Sequence, residues 1–387
     1  MPVVSFRILH PDPFDFSRPT SFPHELGCSV EFSQKSDAQK FGKILLGFPH
    51  ARHIHPEKNQ TFNILWVMSF KQALLLPKVL GSFPELSRQM TQGLVSFVQD
   101  NFWELKGRGG KKFRWARKTQ VMGILNITPD SFSDGGNYLD PGIAVERALR
   151  MQEEGADWVD VGGESTRPGA KAVPAGEEKR RILPILKACS KALRIPLSVD
   201  TYKAEVAKAA VGEGAQMVND IGALILDPRM GKTIAGLKVP VVLMHMQGKP
   251  RTMQKNPTYR DVMGDLIVFF RGRILAAKQS GITEDRILLD PGFGFGKDPW
   301  HNMEITRRLW ELKVLGRPLM LGPSRKSTLG FLLGGVPAEK RIEATGAAVT
   351  AAILKGADFV RVHDVKAMVP VVKIADAIRF NRGLTAP

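Results

Sequence analysis

The chain has 387 residues, 43% apolar and 24% charged, which is enough for one barrel of about 250 residues and a smaller domain. No apolar run approaches the roughly 20 residues of a membrane span, and no basic start with an apolar core opens the chain; it reads as cytoplasmic, with no membrane partner. The formal net charge of +17 suits nucleic acid or anionic small molecules, but the aromatic-interleaved nucleic-acid modules are absent, so no nucleic-acid partner is expected.

Residues 1–105 differ from the rest. After Pro11, Pro13, Pro19 and Pro23 they predict a helix over 36–46, a strand over 63–68 and an amphipathic helix over 84–100. This is a small α/β domain with room for only a modest core. His50, His53 and His55 cluster there without a further ligand to complete a metal site, which favours a surface role. Cys28 and Cys189 lie far apart and make no metal or redox spacing, as expected of reduced structural thiols. Residues 106–118 follow. Lys106, Arg108, Lys111, Lys112, Arg114, Arg117 and Lys118 surround Gly107, Gly109 and Gly110 with no acid among them. That composition predicts a solvated basic linker.

From 119 to 387 the pattern is regular. Apolar runs at 121–125, 158–161, 196–199, 216–218, 239–244, 287–289, 318–321 and 359–362 each precede a helical stretch. Helices predicted over 141–154 (behind an Asp140 N-cap), 202–213, 259–280 and 338–355 are each followed by a glycine stop. Strands this continuously apolar belong to a parallel sheet buried on both faces. A doubly wound sheet shares the alternation, but eight units with polar groups at every strand end favour a (β/α)8 barrel. In that fold the strand C-termini form the face that carries active sites.

The strand ends and their loops carry the chemistry. After the first run, Asn126 opens an eleven-residue polar loop to Gly136 that holds Phe132 and Asp134. An asparagine there can bind Mg²⁺, an ion that takes few protein ligands and keeps phosphate oxygens as others. After the second, Gly162-Gly163-Glu164-Ser165-Thr166-Arg167-Pro168-Gly169 places a planar guanidinium fork in a loop that approaches closely. Asp200, Asn219 and Asp290 end the third, fourth and sixth runs and can read the edge of a flat heterocycle, since a carboxylate accepts paired N–H donors. Asp200 could equally cap the next helix. The loop Pro291-Gly292-Phe293-Gly294-Phe295-Gly296-Lys297 offers flat apolar walls, or anchors itself in the core. Ser324-Arg325-Lys326-Ser327 follows the seventh run, where barrels often hold phosphate, and Arg361 and His363 share one side of the eighth.

These segments, with Leu243-Met244-His245-Met246-Gln247-Gly248, resemble dihydropteroate synthase in sequence and in order over about 119–382. The resemblance implies a barrel that joins 6-hydroxymethyl-7,8-dihydropterin diphosphate to 4-aminobenzoate in folate synthesis. It also implies a cytoplasmic homodimer, Mg²⁺ as cofactor and sulfonamides as inhibitors. By matching position, Asp200, Asn219, Met244, Asp290, Lys326 and Arg361 would hold the pterin. Asn126 would bind the metal, and with Arg167, Arg361 and His363 the diphosphate. Phe132, Thr166, Pro168, Phe295 and Ser327 would frame 4-aminobenzoate. Asp134, Thr166, Arg167, Lys326 and His363 would be catalytic. Tyr202 stands where the family often has serine, and Asp298-Pro299-Trp300 departs from its usual sequence. A pterin-binding corrinoid methyltransferase would need the pterin-edge acids but no diphosphate group. A non-catalytic pterin sensor or RNA binder would not need the full set.

Overall fold

The computed structural model describes residues 3–9, 25–32, 35–45, 62–69, 75–78, 80–98, 102–127, 141–165, 172–248 and 252–380. The chain forms two compact units. One comprises Met1–Asp100 with Met263–Val268 and Leu309–Gly316. In it β1 (Val3–Leu9), β2 (Glu25–Phe32) and β3 (Phe62–Ser69) form an antiparallel sheet in that order, accompanied by α1 (Lys35–Leu45) and α2 (Pro84–Val98). The helices and β3 match the sequence expectation; β1 and β2, which flank the proline-dense stretch, were not expected. The core is aromatic: Phe32 lies 5.4 Å from Phe41 and 5.8 Å from Phe83, ring centre to ring centre. His50, His53 and His55 lie outside the described residues.

The second unit comprises Asn101–Val262, Phe269–Arg308 and Arg317–Pro387. Its first element corrects the expectation of a linker. Trp103–Lys106 (β4) and Lys112–Trp115 (β5) pair as an antiparallel hairpin. Period-two alternation explains it: Trp103, Leu105, Phe113 and Trp115 pack on one face while the charges alternate with them. Those charges are largely neutralised by neighbours. Lys106 Nζ meets Asp285 at 2.7 Å, Arg114 Nε meets Glu104 at 2.6 Å, Lys112 pairs with Glu104, and Lys118 with Asp157.

The expected barrel follows. Its strands are β6 (Gln120–Asn126), β7 (Trp158–Gly162), β8 (Leu197–Asp200), β9 (Met217–Asp220), β10 (Val241–Met244), β11 (Ile287–Asp290), β12 (Met320–Leu321) and β13 (Phe359–Val362). All neighbours in the order β11-β10-β9-β8-β7-β6-β13-β12 run parallel where paired, and a parallel bridge between Leu289 and Leu319 closes the ring. The described helices around it are α3 (Pro141–Glu153), α4 (Ala175–Ala192), α5 (Ala204–Gly212), α6 (Met230–Leu237), α7 (Val262–Gln279), α8 (Pro299–Arg308), α9 (Ser327–Leu332), α10 (Ile342–Leu354) and α11 (Val365–Phe380). Three of the helices with predicted bounds begin later than expected. α5 starts at Ala204, whose N–H is capped by Asp227 Oδ2 at 3.0 Å, and Ala338–Lys340 form a short 3₁₀ turn ahead of α10.

Alternation along the strands sorts the barrel interior into layers. At the N-terminal mouth, Met122, Trp158, Met217, Val242, Leu288, Met320 and Phe359 form one buried cluster with the β4–β5 hairpin. Phe113 lies 4.8 Å from Trp158, and Trp115 meets Phe359 edge-on at 5.1 Å. The hairpin is thus a stopper for that mouth. Cys28 and Cys189 are buried and unbridged, and burial pushes the Cys189 thiol up to about 11. No helix among the described residues is long and apolar enough to cross a membrane.

Candidate active site

One strand step above the floor, the interior turns polar. Asp160 on β7 is fully buried, although it lies inside an apolar run. Burying a carboxylate is costly unless cations and donors meet it, and they do. Arg361 on β13 donates from Nε to Asp160 Oδ2 at 2.7 Å and from Nη2 to Asp200 Oδ2 at 2.9 Å. Asn219 Nδ2 donates to the same Asp160 oxygen at 3.0 Å. One arginine therefore ties β7, β8 and β13 together at the level where the third and fourth strands end. Asp160 Oδ1 and Asn219 Oδ1 are buried acceptors without a hydrogen-bond partner, so the cluster retains acceptor capacity for a donor-bearing ring edge.

Burial, opposed by Arg361 and reinforced by Asp160, pushes Asp200 up to about 7. Burial also lifts Asp290 to about 6, against the Gly292 N–H that its Oδ1 accepts at 2.7 Å and against Lys326 and Arg361. Both acids are thus easily protonated for carboxyls, and both are primed to accept N–H donors once ionised.

An apolar wall stands beside the acids. Met244 at the end of β10 packs with Ile221, Met253 and Phe295, with Tyr202 and Met246 against them. Lys326 Nζ lies 4.1 Å from the centre of the Phe295 ring, a cation–π distance. The loop after β11 wraps this wall tightly. Gly292 has φ +72°, and a Cβ there would fall 1.9 Å from the His245 carbonyl oxygen, so only glycine fits. Lys297 is buried beneath, where burial pushes its ammonium down to about 7.

His363 follows β13. Its Nδ1 lies 3.0 Å from Ser324 Oγ, and burial, then Arg361, Arg325 and Lys326, depress it to about 3. It is a neutral donor at physiological pH rather than a cation. Arg325 is held by Asp364, Nε to Oδ2 at 2.8 Å. Ser327 opens α9 and is exposed, while Asn126 ends β6. Its Oδ1 and Asp200 Oδ2 stand 3.6 and 3.7 Å from the point where a side chain on Gly162 would begin. Glycine leaves that space open, and oxygen donors facing it suit a hard divalent cation.

The structure therefore gathers Asn126, Asp200, Asn219, Met244, Asp290, Phe295, Lys326, Arg361 and His363 at the strand C-termini and the loops that follow. Phe295, expected beside the second substrate, shares its cluster with Met244. Ser327 joins them at the start of α9. Phe132, Asp134, Thr166, Arg167 and Pro168 lie outside the described residues. Two buried residues were missed as site groups. Asp160 was legible as one acid facing inward from an apolar strand, a position that demands a cation. In the sequence Lys297 shows only as the end of a glycine-rich loop.

A closed parallel barrel with buried acids, an amide and an apolar wall at one mouth defines a heterocycle-binding barrel enzyme. The sequence model of the family described as pterin binding enzyme matches residues 122–363. A Synechocystis dihydropteroate synthase is 46% identical over 270 residues, 70% of this chain and 93% of that protein. Two solved Xanthomonas albilineans dihydropteroate synthase structures are similar throughout the barrel. One, with 4-aminobenzoic acid, has a TM-score of 0.67 and 43% identity, covering 74% of this chain and all of that one (100%). The other, with 7,8-dihydropteroate, has a TM-score of 0.60 and 38% identity, covering 71% and 96%. The chain belongs to the dihydropteroate synthase family.

Proposed function

We propose that the chain condenses 6-hydroxymethyl-7,8-dihydropterin diphosphate with 4-aminobenzoate by dissociative substitution, as a cytoplasmic homodimer that uses Mg²⁺. The observation that carries the reading is the buried layer of Asp160, Asp200, Asn219 and Arg361, with Asp290 nearby and two acceptors still open. An aminopyrimidine edge supplies the N–H donors that Asn219 and the ionised Asp290 accept, and Lys326 donates to a ring carbonyl or nitrogen. Met244 and Phe295 supply the apolar face for the ring.

The bond between the exocyclic carbon and the diphosphate oxygen breaks with its electron pair on oxygen. Positive charge spreads into the pterin, where Asp290 and Asp200 stabilise it. Arg167, Arg361 and His363 hold the departing diphosphate. Mg²⁺, held at Asn126, would neutralise charge on the leaving group. The aromatic amine, framed by Phe132, Thr166, Pro168 and Ser327, forms the new C–N bond and releases one proton. Asp134, in the segment between β6 and α3, would with the segment after β7 exclude water. Exposed Phe331, Leu332 and Leu333 near α9, and Ile374 and Ile378 on α11, offer apolar surface to a second copy.

The test is release of diphosphate with both substrates and Mg²⁺ present, set against omission of each. Turnover is expected only in the complete mixture; its absence there sinks the reading. Light scattering on the purified protein, with twice the chain mass expected, tests the dimer.

A further inference from the structure

Lys297 takes no part in the chemistry above, yet it is among the most buried charged side chains of the barrel unit, 2% exposed. Its Nζ reaches acceptors on two different loops. His245 Nδ1 lies at 2.9 Å and the His245 carbonyl oxygen at 3.4 Å on the loop after β10, and the Phe295 carbonyl oxygen lies at 3.0 Å on the loop after β11. His245 directly follows Met244, so the lysine grips the backbone beside both apolar residues of the ring wall.

Other contacts join the same two loops. Gln254 Nε2 donates to the Gly294 carbonyl at 2.7 Å and Tyr259 Oη to the Gly296 carbonyl at 2.6 Å. The position of a Gly296 Cβ would be 2.5 Å from the Gln247 carbonyl oxygen. Those ties hold the rim of the loops. Lys297 holds the inside, where losing the donor would leave buried carbonyls and an imidazole unpaired. Met244 and Phe295 would then lose their common reference.

We infer that Lys297 is a positioning residue for pterin recognition: through His245 and the two carbonyls it fixes the spacing of Met244 and Phe295 against the ring. The inference rests on the proposed function, since it takes the pterin to be the ligand of that wall. It assigns Lys297 no contact with substrate and no part in holding diphosphate.

Lys297→Met keeps the length and removes the donors. Affinity would be measured by calorimetry for 6-hydroxymethylpterin, which lacks the diphosphate, and separately for inorganic diphosphate. We expect the pterin dissociation constant to rise tenfold or more while that of diphosphate changes less than twofold. His245→Phe, which keeps the ring and removes only the nitrogen partner, should move in the same direction by a smaller factor, and it carries the test alone if Lys297→Met does not fold. An unchanged pterin affinity, or an equal loss of both ligands as general loosening would give, overturns the role. If the unaltered protein bound no pterin, the proposed function would fall instead, and this role with it.

Discussion

Replacing Asp160 with asparagine removes one charge and almost no volume, which makes it a sharp probe of the buried layer. Asp160 Oδ2 receives Arg361 Nε at 2.7 Å and Asn219 Nδ2 at 3.0 Å in full burial. Removing one partner of a buried ion pair costs about 3–5 kcal/mol. Two features reduce that figure here: asparagine keeps a carbonyl oxygen for Arg361, and Arg361 keeps Asp200 at 2.9 Å. A net loss of about 2 kcal/mol follows, or a fall in melting temperature of roughly 4–8 °C for a domain of this size. The neutral amide oxygen would also hold Arg361 and Asn219 less firmly, so pterin affinity should drop about tenfold, equivalent to about 1.4 kcal/mol. Removing the neighbouring negative charge should in addition lower the Asp200 pKa, which Asp160 helps to raise. Differential scanning calorimetry and pterin titration read the two effects. A melting temperature within roughly 1 °C of the parent, with pterin affinity unchanged, would refute the idea that this layer is held by Asp160.

Three further expectations follow from the same geometry. Lys326→Ala should cost most of the pterin affinity with the melting temperature nearly unchanged, because the side chain is only half-buried beside Phe295; calorimetric affinity equal to the parent's would remove it from the site. Asp290 is lifted from 3.8 to about 6, so its contribution to stability is present below 3.8 and lost as pH rises through 6. Ligand-free Asp290→Asn should therefore be more stable than the parent at pH 7.5, by up to about 3 kcal/mol, and melt higher, yet bind pterin poorly. Parent affinity should also fall as pH drops below about 6, and melting curves with pterin titrations from pH 5 to 8 check both. Trp115→Ala should cost about 3–5 kcal/mol, as for other buried aromatics, while kcat at a permissive temperature stays near the parent value, because the residue packs at the mouth opposite the strand C-termini.

The barrel was readable because its strands are continuously apolar, and buried parallel strands leave that mark. The residues at the strand ends were readable too: Asp200, Asn219 and Asp290 interrupt apolar runs just where a pocket would open. The role of Asp160 is hidden because sequence shows that an acid lies in a strand but not which cation reaches it; Arg361 lies 201 positions away. Lys297 is hidden for a similar reason, since its side-chain partner His245 lies on a loop some fifty residues earlier. The hairpin is different. Trp103-Glu104-Leu105-Lys106, then Lys112-Phe113-Arg114-Trp115, alternate around a glycine-rich turn. That signal was present, but the density of positive charge outweighed it. The ion pairs that neutralise those charges form only when Asp285, Asp157 and Glu104 are brought beside them.

The stoppered mouth bears on how the barrel can be produced by itself. The regular repeat begins near residue 119, and a composition boundary falls near 105, so either looks like a natural place to cut. Both cuts would damage the stopper. A start at 119 strips the whole hairpin, and a start at 106 keeps β5 without its partner β4. The first leaves the rings of Trp158 and Phe359 without Phe113 and Trp115 over them, and the second leaves those two residues on a strand that has lost its pairing partner. A shortened chain that begins ahead of Trp103 retains the stopper, so the choice of first residue decides whether the floor of the barrel keeps its cover.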